Sequence, residues 1–203
     1  MAGLDPARVR ANLDRVREQV GERVEICAAI KYLPLEDLPA LAEAGVALVG
    51  ENRAQDLERK HELHGGAFRW HFIGHLQSNK AKVVDELCEL VHSLGSDSAA
   101  RRLTVPALLE VNLSGEDSKS GVPPDEIAGF VERYPLIRGL MTMPPLVSDA
   151  EASRPYFRRL RELADQHNLA DLSMGTSQDY RVAAEEGATL VRVGATIFGA
   201  DQG

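Results

Sequence analysis

The sequence predicts an α/β protein, a single (β/α)8 TIM barrel in which eight parallel strands close into a cylinder. Three observations point there. Short apolar, strand-like runs alternate with helix-like runs eight times; no second block of composition interrupts them; and 203 residues, 44% of them hydrophobic, suffice for one substantial core. One domain covering 1–203 is expected, with an open doubly wound sheet as the runner-up fold.

The chain opens on a helix. Asp5 and Pro6 read as cap and first helical residue, and Val9, Leu13, Val16 and Val20 recur at helical spacing down to Gly21. Strand-like runs then follow at Glu25 to Lys31, Ala47 to Asn52, Arg69 to His75, Glu89 to Gly95, Pro106 to Ser114, Leu136 to Met143, Asp171 to Thr176 and Thr189 to Phe198. Between them lie helical patterns at Leu35 to Ala44, Arg53 to Leu63, Asn79 to Leu87, Asp125 to Tyr134, Ser153 to His167 and Gln178 to Glu186, the last closed by Gly187. One connection is short: Ser96 to Leu103 has room for only about two helical turns. Gly65-Gly66 and Met143-Pro144-Pro145 are loop punctuation.

A net charge of -8 leaves no general cationic field for phosphate backbones or anionic lipids, so neither nucleic acid nor membrane is an expected partner. The first residues offer no apolar signal-peptide core, and no run approaches membrane-spanning length. A cytoplasmic location follows as the expectation. Cys27 and Cys88 have neither disulfide nor metal-knuckle spacing and read as buried thiols in a reducing compartment.

Alternate residues of a barrel strand face the interior and the helices. In the first strand Ile26, Ala28 and Ile30 alternate with Cys27, Ala29 and Lys31, and the branched set suits the helix side. Lys31 is therefore expected on the interior side, at the strand's C-terminal mouth. By the same parity Arg192 and Gly194 share one face of the last strand, and Glu110, Asn112 and Ser114 share one face of the fifth. Such groups need partners or a ligand, because an uncompensated buried charge costs several kcal/mol, of order 3–5. The plain alternative is an internal ion pair of Lys31 with Glu110.

Met174-Gly175-Thr176-Ser177-Gln178 ends the seventh strand, and Gly194-Ala195-Thr196 closes the eighth. Loops after these two strands are the usual phosphate site of this barrel class. Each carries a glycine and a hydroxyl, opposite Lys31. An amine and a phosphate cup together are what pyridoxal phosphate requires.

At this point the chain resembles the pyridoxal phosphate homeostasis proteins, one-domain relatives of the fold type III, alanine racemase-like barrels. The matching phrases are Gly50-Glu51-Asn52, His71-Phe72-Ile73-Gly74-His75-Leu76-Gln77-Ser78-Asn79-Lys80, Ser118-Lys119-Ser120-Gly121-Val122, Gly139-Leu140-Met141 and Val191-Arg192-Val193-Gly194-Ala195-Thr196-Ile197-Phe198-Gly199. The resemblance implies pyridoxal 5'-phosphate as cofactor, held as a Schiff base on Lys31. It further implies Arg192 at the ring nitrogen, Ser177, Gly194 and Thr196 at the phosphate, and Asn52 near the cofactor. Two departures are visible: the family usually has Val-Ser-Lys where this chain has Ala29-Ile30-Lys31, and often Met-Ser where it has Thr176-Ser177.

Other histidine and lysine patterns read as structural. His61-Glu62-Leu63-His64 lacks the four-residue His spacing of the zincins, and His71 and His75 on an extended strand would lie about 13 Å apart, so no metal is expected. His75 at the strand mouth is a candidate pocket residue or a structural hydrogen-bonder. Lys80, Lys82 and Lys119 read as solvated charges in preference to an anion-binding edge. Three functions remain open: a carrier acting in intracellular cofactor storage and delivery, with apo-enzymes as recipients; a fold type III racemase or decarboxylase; and a Schiff-base aldolase with no cofactor. The carrier is favoured. An always-charged Arg192 would keep the ring nitrogen unprotonated, and the chain ends at Gly203 without the C-terminal β domain that supplies the second base in the racemases. A monomer is expected.

Overall fold

Parallel pairing runs unbroken around the molecule in the computed structural model. Strands β1 (Glu25–Ala29), β2 (Leu48–Glu51), β3 (Arg69–Phe72), β4 (Leu90–Leu94), β5 (Ala107–Glu110), β6 (Ile137–Met141), β7 (Asp171–Thr176) and β8 (Leu190–Val193) follow in chain order, and β8 pairs back onto β1. The structure describes residues 3–116, 120–146 and 148–199. Closure through Glu25↔Leu190 to Ala28↔Val193 leaves no sheet edge, so the open doubly wound alternative is excluded.

The helices are α1 (Pro6–Val20), α2 (Leu38–Glu43), α3 (Ala54–His64), α4 (Ala81–Leu87), α5 (Asp97–Ala100), α6 (Ile127–Arg133), α7 (Arg154–Gln166), α8 (Tyr180–Glu185) and α9 (Ala195–Phe198). Helix α1 begins and ends where its residues dictate: the Asp5 carboxylate accepts from the Ala7 N–H at 3.0 Å, Pro6 fills the first turn, and Gly21 closes it. Helix α7 buries Phe157, Leu160, Leu163 and Ala164, a stripe at helical spacing that faces the sheet. The short connection after β4 is shorter than expected, with α5 a single turn capped by the Ser96 hydroxyl, which accepts from Ala99 N–H at 3.3 Å. None of the described helices is long and apolar enough to cross a membrane.

Two strand expectations fail at their C-terminal ends. β1 stops at Ala29, so Lys31 lies in the following turn and outside the pleat. β8 stops at Val193, and the expected strand residues Ala195 to Phe198 form α9. At Gly194, where a Cβ would lie 2.8 Å from the Ala29 carbonyl oxygen, the chain presses against β1, and the Gly194 carbonyl then accepts from the Ile197 and Phe198 N–H groups at 2.9 and 3.1 Å, which starts the helix. Apolar alternation continued through this segment and concealed the change of structure.

Strand parity sorts the apolar residues into two cores. Ile26, Ala28, Ile30, Val191 and Val193 pack outward against the helices, whereas Cys27, Leu48, Leu90, Leu108, Met141 and Leu190 pack together inside the barrel with Ile73 against them. The inner cluster is tight at Gly50, where an added Cβ would come within 2.7 Å of Cys27 Sγ and 2.9 Å of Ile73 Cδ1. This part of the lumen is thus tightly packed, and polar inward residues adjoin it, with Arg192 in register with Cys27 and His71 with Leu90.

Burial pushes the Cys27 and Cys88 thiols up to about 12, so both remain protonated in neutral solution. A chromogenic disulfide reagent at pH 8 should therefore titrate neither thiol in the native protein and both after unfolding in denaturant. Native reaction of Cys27 at the rate of a free thiol would contradict the sealed lumen.

Candidate functional site

Four neighbouring strands deliver the sequence-predicted residues to one end of the barrel. β7 leads into Ser177, β8 carries Arg192 and leads into Gly194 and Thr196, β1 leads into Lys31, and β2 leads into Asn52. The pairing order β7-β8-β1-β2 makes these ends adjacent, at the C-terminal mouth where barrels of this kind place their chemistry.

Lys31 departs from expectation in its surroundings. It is exposed, with Nζ 4.5 Å from the Tyr32 ring centroid, and it borders a hollow of about 260 Å³ that Leu35, Asp56, Arg59 and Lys60 also line. The alternative pairing with Glu110 is not formed: Glu110 is buried and accepts instead from Ser120 Oγ at 2.5 Å. Among the described residues Lys31 has no salt bridge, and it is exposed at the mouth.

The backbone on either side of this site is fixed by a buried ion pair that the sequence reading did not identify. Lys60 of α3 donates to Glu51 Oε2 at 2.6 Å and to the Ile30 carbonyl at 2.7 Å, and Glu51 Oε1 accepts from Asn52 N–H at 2.6 Å and Arg53 N–H at 3.4 Å. One pair therefore holds both the residue before Lys31 and the turn that presents Asn52. Its side chains are 8% and 0% exposed, so the attraction acts with little screening. The signal was present in the sequence, because Lys60 continues the Ala54 and Leu57 spacing on the buried face of α3. Asn52 Oδ1 is buried with no hydrogen-bond partner, a polar atom that calls for a donor from outside the fold.

Inside the lumen, Arg192 is 5% exposed and burial pulls its pKa down from the ordinary value. Its guanidinium donates to Ser173 Oγ, to the Thr142 carbonyl at 3.1 Å and to Met143 Sδ at 2.8 Å. All three partners are neutral. A cation so placed keeps N–H capacity for a further acceptor. Beside it, Ser177 Oγ accepts from Gly194 N–H at 3.1 Å and Thr196 N–H at 3.4 Å, while Thr196 Oγ1 donates to the Ser177 carbonyl at 3.4 Å. Two hydroxyls and two backbone N–H groups thus converge, and the Ser177 oxygen occupies the acceptor position between the two N–H groups. The loop is held by Asp179, which accepts from Thr176 N–H at 2.7 Å and from its hydroxyl at 3.1 Å.

Other sequence candidates make none of these contacts or lie outside the described residues. His75 is exposed beyond the end of β3, and Lys82 pairs loosely with Glu86 at 3.8 Å. Ser118 and Lys119, and with Lys119 the suggested anion-binding edge, lie outside the described residues. No cluster of His, Cys, Asp or Glu suited to a metal occurs among the described residues.

Residues 4–202 match the family model for the alanine racemase N-terminal domain. A pyridoxal phosphate homeostasis protein of Aquifex aeolicus is 40% identical, with 95% of each chain covered. Among solved structures, PipY of Synechococcus elongatus, determined with PLP bound, superposes with a TM-score of 0.85 at 31% identity, covering 94% of this chain and all of that one. Alanine racemase from Corynebacterium glutamicum shares the fold, at a TM-score of 0.74 and 16% identity, and this chain covers 63% of it.

Substituting Lys60→Met should leave Glu51 as an uncompensated buried carboxylate and lower the unfolding free energy by about 3–5 kcal/mol in urea titrations. The double substitution Glu51→Gln with Lys60→Met should recover part of the loss. A single variant as stable as the wild type would show that the pair does not hold this mouth.

Proposed function

The chain belongs to the pyridoxal phosphate homeostasis protein family, and we propose that it binds pyridoxal 5'-phosphate at the β7-β8-β1-β2 mouth and serves intracellular homeostasis of that cofactor by storing and delivering it. The observation that carries this reading is Arg192, a buried guanidinium whose hydrogen-bond partners are all neutral and which retains donors for one more acceptor. The pyridine nitrogen is such an acceptor. The unpartnered Asn52 Oδ1 supports the same conclusion, since it awaits a donor at the same mouth.

When bound, the cofactor supplies an aldehyde that an amine can capture and a ring that can withdraw electrons. Lys31 offers the amine and holds the cofactor as a Schiff base; its exposure lets an incoming amine reach it. Ser177, Gly194 and Thr196 supply hydroxyl and N–H donors to the phosphate, and the Ser177 hydroxyl gives up its present acceptor role as the anion takes that place. Arg192 can only donate, so it leaves the ring nitrogen unprotonated and the ring a poorer electron sink. That disfavours carbanion chemistry and favours retention and release. The protein acts in the cytoplasm as a monomer, and apo-enzymes that use the cofactor are its recipients.

Reduction of the cofactor-loaded protein with borohydride, followed by peptide mapping, should place the label on Lys31. Lys31→Ala should abolish labelling yet keep weak cofactor binding, because the phosphate contacts lie on other strands. Ser177→Ala and Thr196→Ala should each weaken pyridoxal phosphate by roughly tenfold to a hundredfold and hardly affect pyridoxal. A label on Lys60, Lys80 or Lys82 would overturn the assignment, and so would equal losses for both ligands.

A further inference from the structure

Below Arg192 the lumen holds a line of buried polar groups that the cofactor reading does not use. Ser173 Oγ accepts from Arg192 and lies 2.8 Å from His92 Nδ1; His92 Nε2 in turn lies 2.9 Å from His71 Nδ1. Ser173 and His92 are fully enclosed, and His71 is 2% exposed. The groups come from β8, β7, β4 and β3, so the line crosses the barrel from wall to wall.

We propose that Ser173 and His92 are positioning residues for Arg192, joined with His71 in a hydrogen-bond chain that runs in one direction only and holds the guanidinium at the height of the ring nitrogen. The direction follows from donor counting. Arginine has no acceptor, so the Arg192 bond must be accepted by Ser173. The Ser173 hydroxyl then has one proton to place, and His92 Nδ1 is the acceptor within reach. His92 accepts at Nδ1, carries its proton on Nε2 and donates to His71 Nδ1, which leaves His71 protonated on Nε2 as well. The reverse order, His71 to His92 to Ser173, would give Ser173 two donors and leave its own proton, at a fully enclosed oxygen, with no acceptor, whereas the proposed order leaves the spare N–H on His71 Nε2, at the less enclosed end of the line.

Both rings must be neutral for this order, and their surroundings keep them so. Burial, with the Arg69 guanidinium adding to it, holds His71 down to about 4, and burial with neighbouring His71 and Arg192 holds His92 well below the usual range. Ser173 is thereby committed as an acceptor toward Arg192 at neutral pH. The Thr142 carbonyl fixes the other side of the guanidinium, and together the two acceptors set its plane.

The proposal rests on the cofactor reading for the role of the chain, but the proton order can be measured without cofactor. Nitrogen-15 NMR of the histidine rings in the full-length labelled protein at pH 7 should show His71 and His92 neutral and protonated on Nε2, with His92→Asn assigning the signals. A proton on either Nδ1, or a charged ring, would overturn the chain. A second arm compares ligands on Ser173→Ala: affinity for pyridoxal phosphate should fall roughly tenfold or more. Imine formation with salicylaldehyde, which offers the hydroxy-aldehyde pair but no ring nitrogen, should hold at the wild-type level. Equal losses for both would show a merely structural role, and no loss for either would overturn the positioning role. If Ser173→Ala fails to fold, the wild-type tautomers alone decide. If the wild type shows Nε2 protons but binds no pyridoxal phosphate, the cofactor reading fails while the proton order stands.

Discussion

Closing eight parallel strands commits every second strand residue to a space without bulk water, and the arrangement of the site follows from that constraint. A lumen filled entirely with apolar side chains would be inert, while one with unmatched charges would be unstable. Here the two demands are met side by side. Cys27, Leu48, Leu90, Leu108, Met141 and Leu190 pack into one apolar cluster, with Cys27 in register with Arg192 and Leu90 with His71. The polar groups then appear in matched sets: Arg192 with Ser173 and the Thr142 carbonyl, Glu110 with Ser120, and His71 with His92. Each offsets a desolvation cost, and Arg192 is the cation among them that faces neutral partners with donors to spare.

The mouth is organised on a different principle. Its chemically active groups lie beyond the last strand hydrogen bonds, where the backbone could wander, and they are held by contacts from neighbouring elements. Lys60 anchors the carbonyl before Lys31, Glu51 anchors the turn at Asn52, and Asp179 anchors Thr176 beside Ser177. Rigid support for groups that must themselves move suits a protein that both captures and releases a ligand. Lys31, the most exposed of the set, is also the one proposed to bond the cofactor.

Much of this was legible in the sequence because barrel strands obey a period of two. Alternation identified the strands, assigned Cys27 and Arg192 to the interior, and placed the glycine-hydroxyl pairs after the seventh and eighth strands. What parity could not give was where each strand stops. Lys31 has interior parity, but β1 ends two residues earlier and the turn carries it outward; Ala195 to Phe198 keep an apolar rhythm yet coil into a helix whose first hydrogen bonds run to the Gly194 carbonyl. Long-range polar pairing was equally hidden. Nothing local couples Lys60 to Ile30, or His92 to Ser173 some eighty residues later. Those partners meet only after closure, so only their burial pattern, such as Lys60 on the apolar face of α3, could have pointed to them.

On the proposed reading the barrel would hold pyridoxal phosphate and leave its ring a poor electron sink, and that combination would distinguish a carrier from a racemase or decarboxylase built on the same fold. Exchange at the α-carbon tests it most directly. Cofactor-loaded protein would be incubated with L- and D-amino acids in deuterated water and followed by NMR. Binding without turnover predicts no multiple-turnover incorporation of deuterium, although amines still reach Lys31. Exchange at about 1 per second or faster, the range of ordinary enzymes, would contradict the carrier reading and establish catalysis at this mouth.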